Sequence, residues 1–497
     1  MRIILGLALA AISVFGASIG GDARVADAVE KQDVGAVRAL IAQNADVNFA
    51  QADGTTALMW AVRQDDVELV DRLLRAGAKI KAANRYDITA LYLACLNANP
   101  AMIEKLLKAG ADANAIGPEG ETALMTVAHT GNVDAAKVLL AHGAKVDARE
   151  SWRGQTALMW AAAQSHPAMV AELAAHGADV NARSAQQDWK RQVTAEPREK
   201  WMPQGALTAL LFAARQGCLE CTKALVEKGA DVNAADLEGV SPLLLALING
   251  HYDVAGFLID KGANVNAADK TGRTALYAAV DFHTMPVSNR PAPKEIDNQL
   301  SSMDIIKMLL AHGADVNVQL ERQQPYRTKL DRGDDTMFGA GTTPLLRATK
   351  AGDSEVVRLL IAKGADAKLA TRAGINPLMA AAGVGTREED TTGRRKTESE
   401  AIESIKLCLD AGVDVNAVDG TGRTALYGAA MWGLDQVVKF LAEHGARLDM
   451  KDKRGFTPLD AAEGKAGGRG FDAATGDPHP TTAALLRELM SAKSAER

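Results

Sequence analysis

The tripeptide Thr-Ala-Leu, or a close variant, begins at Thr56, Thr89, Thr122, Thr156, Thr208, Ser241, Thr274, Thr343, Asn376, Thr424 and Thr457. Six of the ten gaps are 33 residues and one is 34. The other three, of 52, 69 and 48 residues, are the same period lengthened by insertions. A period this short constrains the fold strongly. One such segment is too small to bury its own apolar face, so neighbours must stack side by side to form a continuous core.

Within a period the order of residues is fixed. In the stretch from Gly205 to Asn233, Thr208 can cap a first helix, and Leu210, Ala213 and Ala214 fall on one face at i, i+3 and i+4. Gly217 marks a turn, Leu225 sits on the inner face of a second helix, and Gly229 supplies the left-handed residue that ends it. Asp231 and Asn233 are turn formers leading into the next period.

These residues resemble the ankyrin repeat, a β-turn plus two antiparallel helices with a Thr-Pro-Leu-His-like start and a Gly-Ala-Asp-Val-Asn-like end. Pro242, Pro344, Pro377 and Pro458 match the family proline. The family histidine is absent throughout. Its positions hold Met59, Tyr92, Met125, Met159, Leu211, Leu244, Tyr277, Leu346, Met379, Tyr427 and Asp460, so an apolar seam is expected where the family has a polar ladder. The resemblance implies an all-α solenoid of about twelve stacked ankyrin repeats.

Residues 21–52 carry only the second half of the pattern and read as an N-terminal capping repeat. The array proper covers residues 53–462, with insertions at 185–203, 282–301, 319–340 and 384–399. Residues 463–497 read as a Gly-rich loop and a C-terminal capping helix over 481–490. Ahead of all this, Arg2 precedes an apolar run from Ile3 and then small residues, the layout of a secretory signal peptide over 1–20. The alternatives are an uncleaved anchor and a cytosolic chain. Export is the expectation, with a periplasmic or secreted product and no transmembrane segment after the signal peptide.

Composition narrows the function. With 47% hydrophobic and 24% charged residues the chain is globular, and a net charge of −6 gives nucleic acid no overall basic surface. No nucleic-acid partner is expected. Nor does the sequence contain a nucleophile elbow, a phosphate-cradling glycine loop or a His-Glu zinc helix, so no enzyme, cofactor or metal site is expected. Acidic residues are spread over helix surfaces with no defined pairing.

Two insertions extend the β-turn fingers and carry residue types that dominate protein interfaces. These are Trp189, Arg191, Arg198 and Trp201 in the first, and Arg322, Tyr326, Arg327 and Phe338 in the second. Met431 and Trp432 occupy the variable pair before a helix-one glycine, which the resemblance places on the partner-contacting face. Cys218 and Cys221 form a C-x-x-C at the start of a second helix, either as a disulfide or as two free, partly buried thiols. A redox motif would need a βαβ context that this array lacks. Cys95 and Cys408 lie at apolar helix positions and are expected in the core. The expected function is an exported, monomeric scaffold that binds a protein partner through the concave face the resemblance implies and through the two long finger loops. The alternative is glycan or cell-wall attachment through the Trp-bearing fingers.

Overall fold

The structure, a computed structural model, describes residues 23–186, 205–284, 298–322, 339–386, 396–466 and 477–495. Among these are 24 α-helices and no strand, with only isolated β-bridges such as Ala83 with Thr89. The chain forms two compact bodies, residues 1–152 and 153–497. The expected signal peptide lies outside the described residues. No helix among those described is long and apolar enough to cross a membrane.

The recurring Thr-Ala-Leu is a helix start. All eleven recurrence residues, from Thr56 to Thr457, are N-caps whose side-chain oxygen accepts the amide three residues on. A cap of this kind contributes about 1 kcal/mol relative to alanine. Proline at the next position, as in Pro242 and Pro344, loses nothing because that amide has no partner inside the helix. At the other end of the repeat Gly229 has φ +88°, and open space surrounds the position a Cβ would take. Its requirement is the left-handed backbone, not space.

First helices stack on first helices. In the first body Arg24–Glu30, Ala57–Arg63, Ala90–Leu96 and Ala123–Thr130 form one row. In the second body the row runs from Ala157–Ala163 through Ala209–Gln216, Pro242–Ile248, Ala275–His283, Pro344–Ala351, Pro377–Ala381 and Ala425–Met431 to Pro458–Ala462. The apolar seam forms as expected: Met59, Met125, Met159, Leu211, Leu244, Tyr277, Leu346, Met379 and Tyr427 are all buried. Tyr92 and Asp460 are half-buried, and Asp460 instead completes a capping box with Thr457.

Asparagine supplies the polar bonds between repeats. Asn317 Nδ2 donates to the Gly364 carbonyl at 3.1 Å, and its Oδ1 accepts from the Asp366 amide at 2.8 Å. Asn48, Asn114, Asn181, Asn266 and Asn416 make the same pair of bonds to the repeat that follows each. Where a period ends in Asp-x-Asn or Asn-x-Asn, the final Asn is therefore both part of a turn and the clamp to its neighbour.

A second reach-back bond joins the start of helix two to the preceding repeat. His251 Nε2 donates to the Arg215 carbonyl at 3.0 Å, as Asn132 Nδ2 does to Ala98 at 2.8 Å. Burial lowers the pKa of His251, so on acidification the unfolded chain takes up a proton first. The stability that His251 lends is thus full above its ordinary value of 6.5 and is lost as pH falls through the folded value. A His251→Asn variant keeps the bond and should show a shallower fall in urea midpoint between pH 7 and about pH 5 than the wild type.

Three boundaries differ from expectation. The helix Ala275–His283 continues into the insertion assigned to 282–301, Glu398–Asp410 begins inside the one assigned to 384–399, and the last helix is Pro480–Ala495. Helix periodicity does not resolve such ends, because caps, not apolar spacing, fix them.

Candidate functional site

The β-turn fingers are held by a carboxylate at the turn. Asp269 Oδ1 accepts the amides of Thr271 (2.8 Å) and Arg273 (3.1 Å) and the Thr271 hydroxyl (2.5 Å). Its Oδ2 accepts Arg273 Nε at 3.0 Å, with both side chains buried. Asp419 repeats the arrangement with Thr421 and Arg423. At Asp452 burial alone would raise the pKa. Bonds from the Phe456 amide, the Tyr427 hydroxyl (3.1 Å) and Arg454 outweigh it and hold the carboxyl below the usual range. Burial, with that carboxylate nearby, pushes the Tyr427 hydroxyl up to about 12.

Successive fingers are joined by short main-chain bonds. Lys270 N donates to Glu238 O, Glu321 N to Thr271 O, Arg372 N to Ala340 O, Gly420 N to Ala373 O and Lys453 N to Thr421 O, all between 2.7 and 2.9 Å. The described residues flanking both long insertions belong to this row and form matching roots. At the first, Ser184 N donates to Leu207 O at 2.9 Å, Gln186 bridges Gly205, and Arg183 Nη1 donates to the carbonyls of Ala206 and Ala235. At the second, Leu320 N donates to Thr342 O at 2.9 Å, and Gln319 Nε2 donates to the carbonyls of Gly341 and Ala370. Gly205, at φ +87°, has room for no side chain: a Cβ would lie 2.0 Å from Ala185 O.

These roots correct the insertion bounds of 185–203 and 319–340. Ala185 N donates to Arg153 O at 2.7 Å, and Gln319 and Ala340 carry the bonds just given. Those residues belong to the regular finger row because its hydrogen bonds run through them. Arg322 stands exposed at the second root. Trp189, Arg191, Arg198, Trp201, Tyr326, Arg327 and Phe338 lie outside the described residues.

The pair Met431 and Trp432 is corrected. Met431 is 6% exposed and packs with Tyr427, Ala461 and Ala466, while Trp432 lies partly buried against that cluster. The indole N–H of Trp432 donates to Gly383 O at 3.0 Å, and the Met431 carbonyl accepts from His479 Nε2. The pair faces inward because the neighbouring first helices leave room: glycine at 383 and 428 lets backbone and rings approach closely.

Of the exposed large apolar side chains among the described residues, Val34 and Leu96 lie at helix ends and the other four on ordinary fingers, at positions that repeat periodicity does not single out. In the first body Tyr86, Ile116 and Trp152 are 52%, 64% and 58% exposed. They occupy three consecutive fingers, and Arg85 lies over the Tyr86 ring. Val418 stands out on a finger of the second body. The available signal is an apolar residue within a run otherwise made of turn formers.

Charge is buried where none was expected to pair. Asp281 and Arg347, from the stacked helices Ala275–His283 and Pro344–Ala351, meet at 2.7 Å with side chains 7% and 0% exposed. Nearby, His283 Nδ1 meets Ser302 Oγ at 2.6 Å and His283 Nε2 meets Asp353 Oδ2 at 3.0 Å. A serine, a histidine and an aspartate in line suggest acyl transfer. Ser302, however, is buried in the first turn of its helix, and Asp353 also caps the Val356 amide at 3.1 Å. These groups act as inter-helix ties. No group of three or more metal-ligating side chains occurs among the described residues.

Cys218 and Cys221 are joined in a disulfide with Cα atoms 5.3 Å apart, whereas Cys95 and Cys408 are free and buried as expected.

Comparison with known proteins agrees with this geometry. Models of ankyrin repeats match residues 25–117, 91–184, 210–320 and 396–467, and a single ankyrin repeat matches 340–372. Serine/threonine-protein kinase 12 of Arabidopsis thaliana is 47% identical over 58 residues, 12% of this chain and 13% of that protein. Ankyrin repeat and KH domain-containing protein 1 of Homo sapiens is 36% identical over 118 residues, 23% of this chain and 4% of that protein. The mask protein of Drosophila melanogaster, with the same domain description, is 34% identical over 119 residues, 24% of this chain and 3% of that protein. The chain thus spans only a small part of each of these relatives. With capped helix pairs in register and family models covering well over half its length, this chain belongs to the ankyrin repeat family.

Proposed function

We propose that this protein is an exported, monomeric scaffold that holds a protein partner on its finger loops. The observation that carries the reading is the set of exposed apolar side chains, Tyr86, Ile116 and Trp152, on three consecutive fingers. Large apolar groups on successive fingers offer a partner surface to cover, and aromatic side chains contribute most to interface energy. In the second body the sequences of the two insertions carry the same residue types, and Arg322 stands exposed at one root. Export is supported by the apolar amino-terminal run and by the Cys218–Cys221 disulfide, since such bonds persist in oxidising compartments.

The test is a triple substitution, Tyr86→Ser, Ile116→Ser and Trp152→Ser. None of the three is buried, so the melting temperature should stay within a few degrees of wild type while capture of a partner from a periplasmic extract is lost. Capture that survives the triple substitution would place the contact elsewhere. Finding the unprocessed chain in the cytosolic fraction would count against export.

A further inference from the structure

We propose that Cys218 and Cys221 are a thiol–disulfide exchange site, with Cys218 the sulfur attacked by an incoming thiolate and Cys221 the resolving thiol. Such a site would act whether or not the fingers hold a partner.

The array has no βαβ unit, but the structure supplies what such a unit gives a redox C-x-x-C. Cys218 is the N-cap of the nine-residue helix Leu219–Glu227, and its Sγ accepts the Cys221 amide at 3.2 Å. A thiolate at that place is favoured by the positive end of the helix, which lowers the thiol pKa. The opposing first-turn carboxylate, Glu220, is engaged by Lys223 at 2.7 Å. The two sulfurs also differ in access. Cys218 is half-buried and Cys221 is fully buried, so attack from solvent falls on Cys218 and Cys221 is the leaving group.

A purely structural role fits the site poorly. In several other repeats the cap of helix two is an oxygen, as with Asp66, Asn99, Asn132 and Asp353, a better acceptor for the same amide, whereas His166, His251 and Leu434 make no side-chain cap bond. Asn132 and His251 also reach back to a carbonyl of the preceding repeat. Cys218 gives up both advantages. The bridge it makes instead spans three residues of a turn already tied by the Thr222 hydroxyl to Cys218 O at 2.9 Å. A loop so short gains the least from cross-linking. Leu225 and Thr222 on the same helix are fully buried, and that packing does not include the Cys218 sulfur, so the repeat is expected to stay folded when the bond opens.

The step balances with a thiol as co-reactant. A thiolate RS⁻ attacks Cys218 Sγ, the Cys218–Cys221 bond breaks, and Cys221 leaves as a thiolate that takes a proton from solvent. A second RS⁻ attacks the R sulfur of the mixed disulfide, giving RSSR and the Cys218 thiolate. Two thiols are oxidised by two electrons and the protein is reduced to the dithiol; the reverse sequence reoxidises it. Cys95 and Cys408 are poor nucleophiles, since burial pushes the Cys95 thiol far up and Cys408 to about 12.

The experiment uses the full chain and glutathione. The wild type, equilibrated in reduced and oxidised glutathione and then alkylated, should convert to the dithiol with unchanged helical circular dichroism. Cys221→Ser should accumulate a glutathione adduct on Cys218 by peptide mapping, and Cys218→Ser should leave Cys221 unmodified. The alkylation rate of Cys218 at neutral pH should exceed that of a free cysteine by about tenfold. A bridge that resists glutathione mixtures able to reduce a linear Cys-Leu-Glu-Cys peptide would overturn the proposal. So would adduct formation on Cys221 first, or a Cys218 alkylation rate equal to that of free cysteine. Should either variant fail to fold, the order of alkylation in the reduced wild type decides: Cys218 before Cys221 supports the site and the reverse order refutes it.

Discussion

Replacing Asp281 with alanine should destabilise the second body by about 3–5 kcal/mol, read as a lower urea midpoint. The carboxylate lies 2.7 Å from Arg347 Nε, and the guanidinium side chain is 0% exposed. Removing the carboxylate takes its counter-charge from a guanidinium that water does not reach, and that cost exceeds the pair's own net worth. The two effects can be separated. The double variant Asp281→Leu with Arg347→Met removes both charges and should recover most of the lost stability. Hydrogen exchange should localise the loss to the helices Ala275–His283 and Pro344–Ala351, because stability in a stacked array is carried by nearest neighbours. A single variant within about 1 kcal/mol of wild type would mean that the pair contributes only as an exposed ion pair does.

The finger turns predict a graded loss. Asp269→Ala should cost about 3–5 kcal/mol and Asp419→Ala about 2–3 kcal/mol. Each carboxylate accepts four bonds from the two residues it serves, so the number of bonds lost is the same. The difference lies in the arginine left behind. Arg273 has a side chain 6% exposed, whereas that of Arg423 is 27% exposed and can be rehydrated. Parallel urea titrations of the two variants check the order. A larger loss at Asp419 would show that burial of the arginine does not set the cost.

What the sequence makes legible here is what is local. Thr-Ala-Leu encodes a cap and the first turn of a helix within four residues, and all eleven instances form that cap. The Met, Tyr and Leu seam is legible for the same reason, because it repeats at one helical register. His176, His312 and His444 close their helices by bonding the carbonyl four residues back, as their place before the glycine suggests. The misses involve partners far apart in the chain. Asp281 and Arg347 are separated by 66 residues and two insertions, and nothing in either local pattern marks the pair as buried. Met431 and Trp432 turn inward because Gly383, 49 residues earlier than Trp432, receives the indole N–H. Tyr86, Ile116 and Trp152 escape a periodicity argument because a lone apolar residue in a turn carries no periodic signal, and its exposure is decided only when the fingers line up. Cys218 and Cys221 are legible as a pair, but their chemistry depends on which of the two faces solvent.

In the function proposed above, helical stacking supplies stability and the fingers supply recognition. Excision of residues 188–203 and of 323–338, which spares Ala185, Gln319 and the other root residues, tests that division directly. Melting temperature and partner capture would be measured on the same preparation. The expected result is a melting curve close to that of the intact protein together with lost capture. Collapse of the melting transition, or full capture without the inserted fingers, would contradict it.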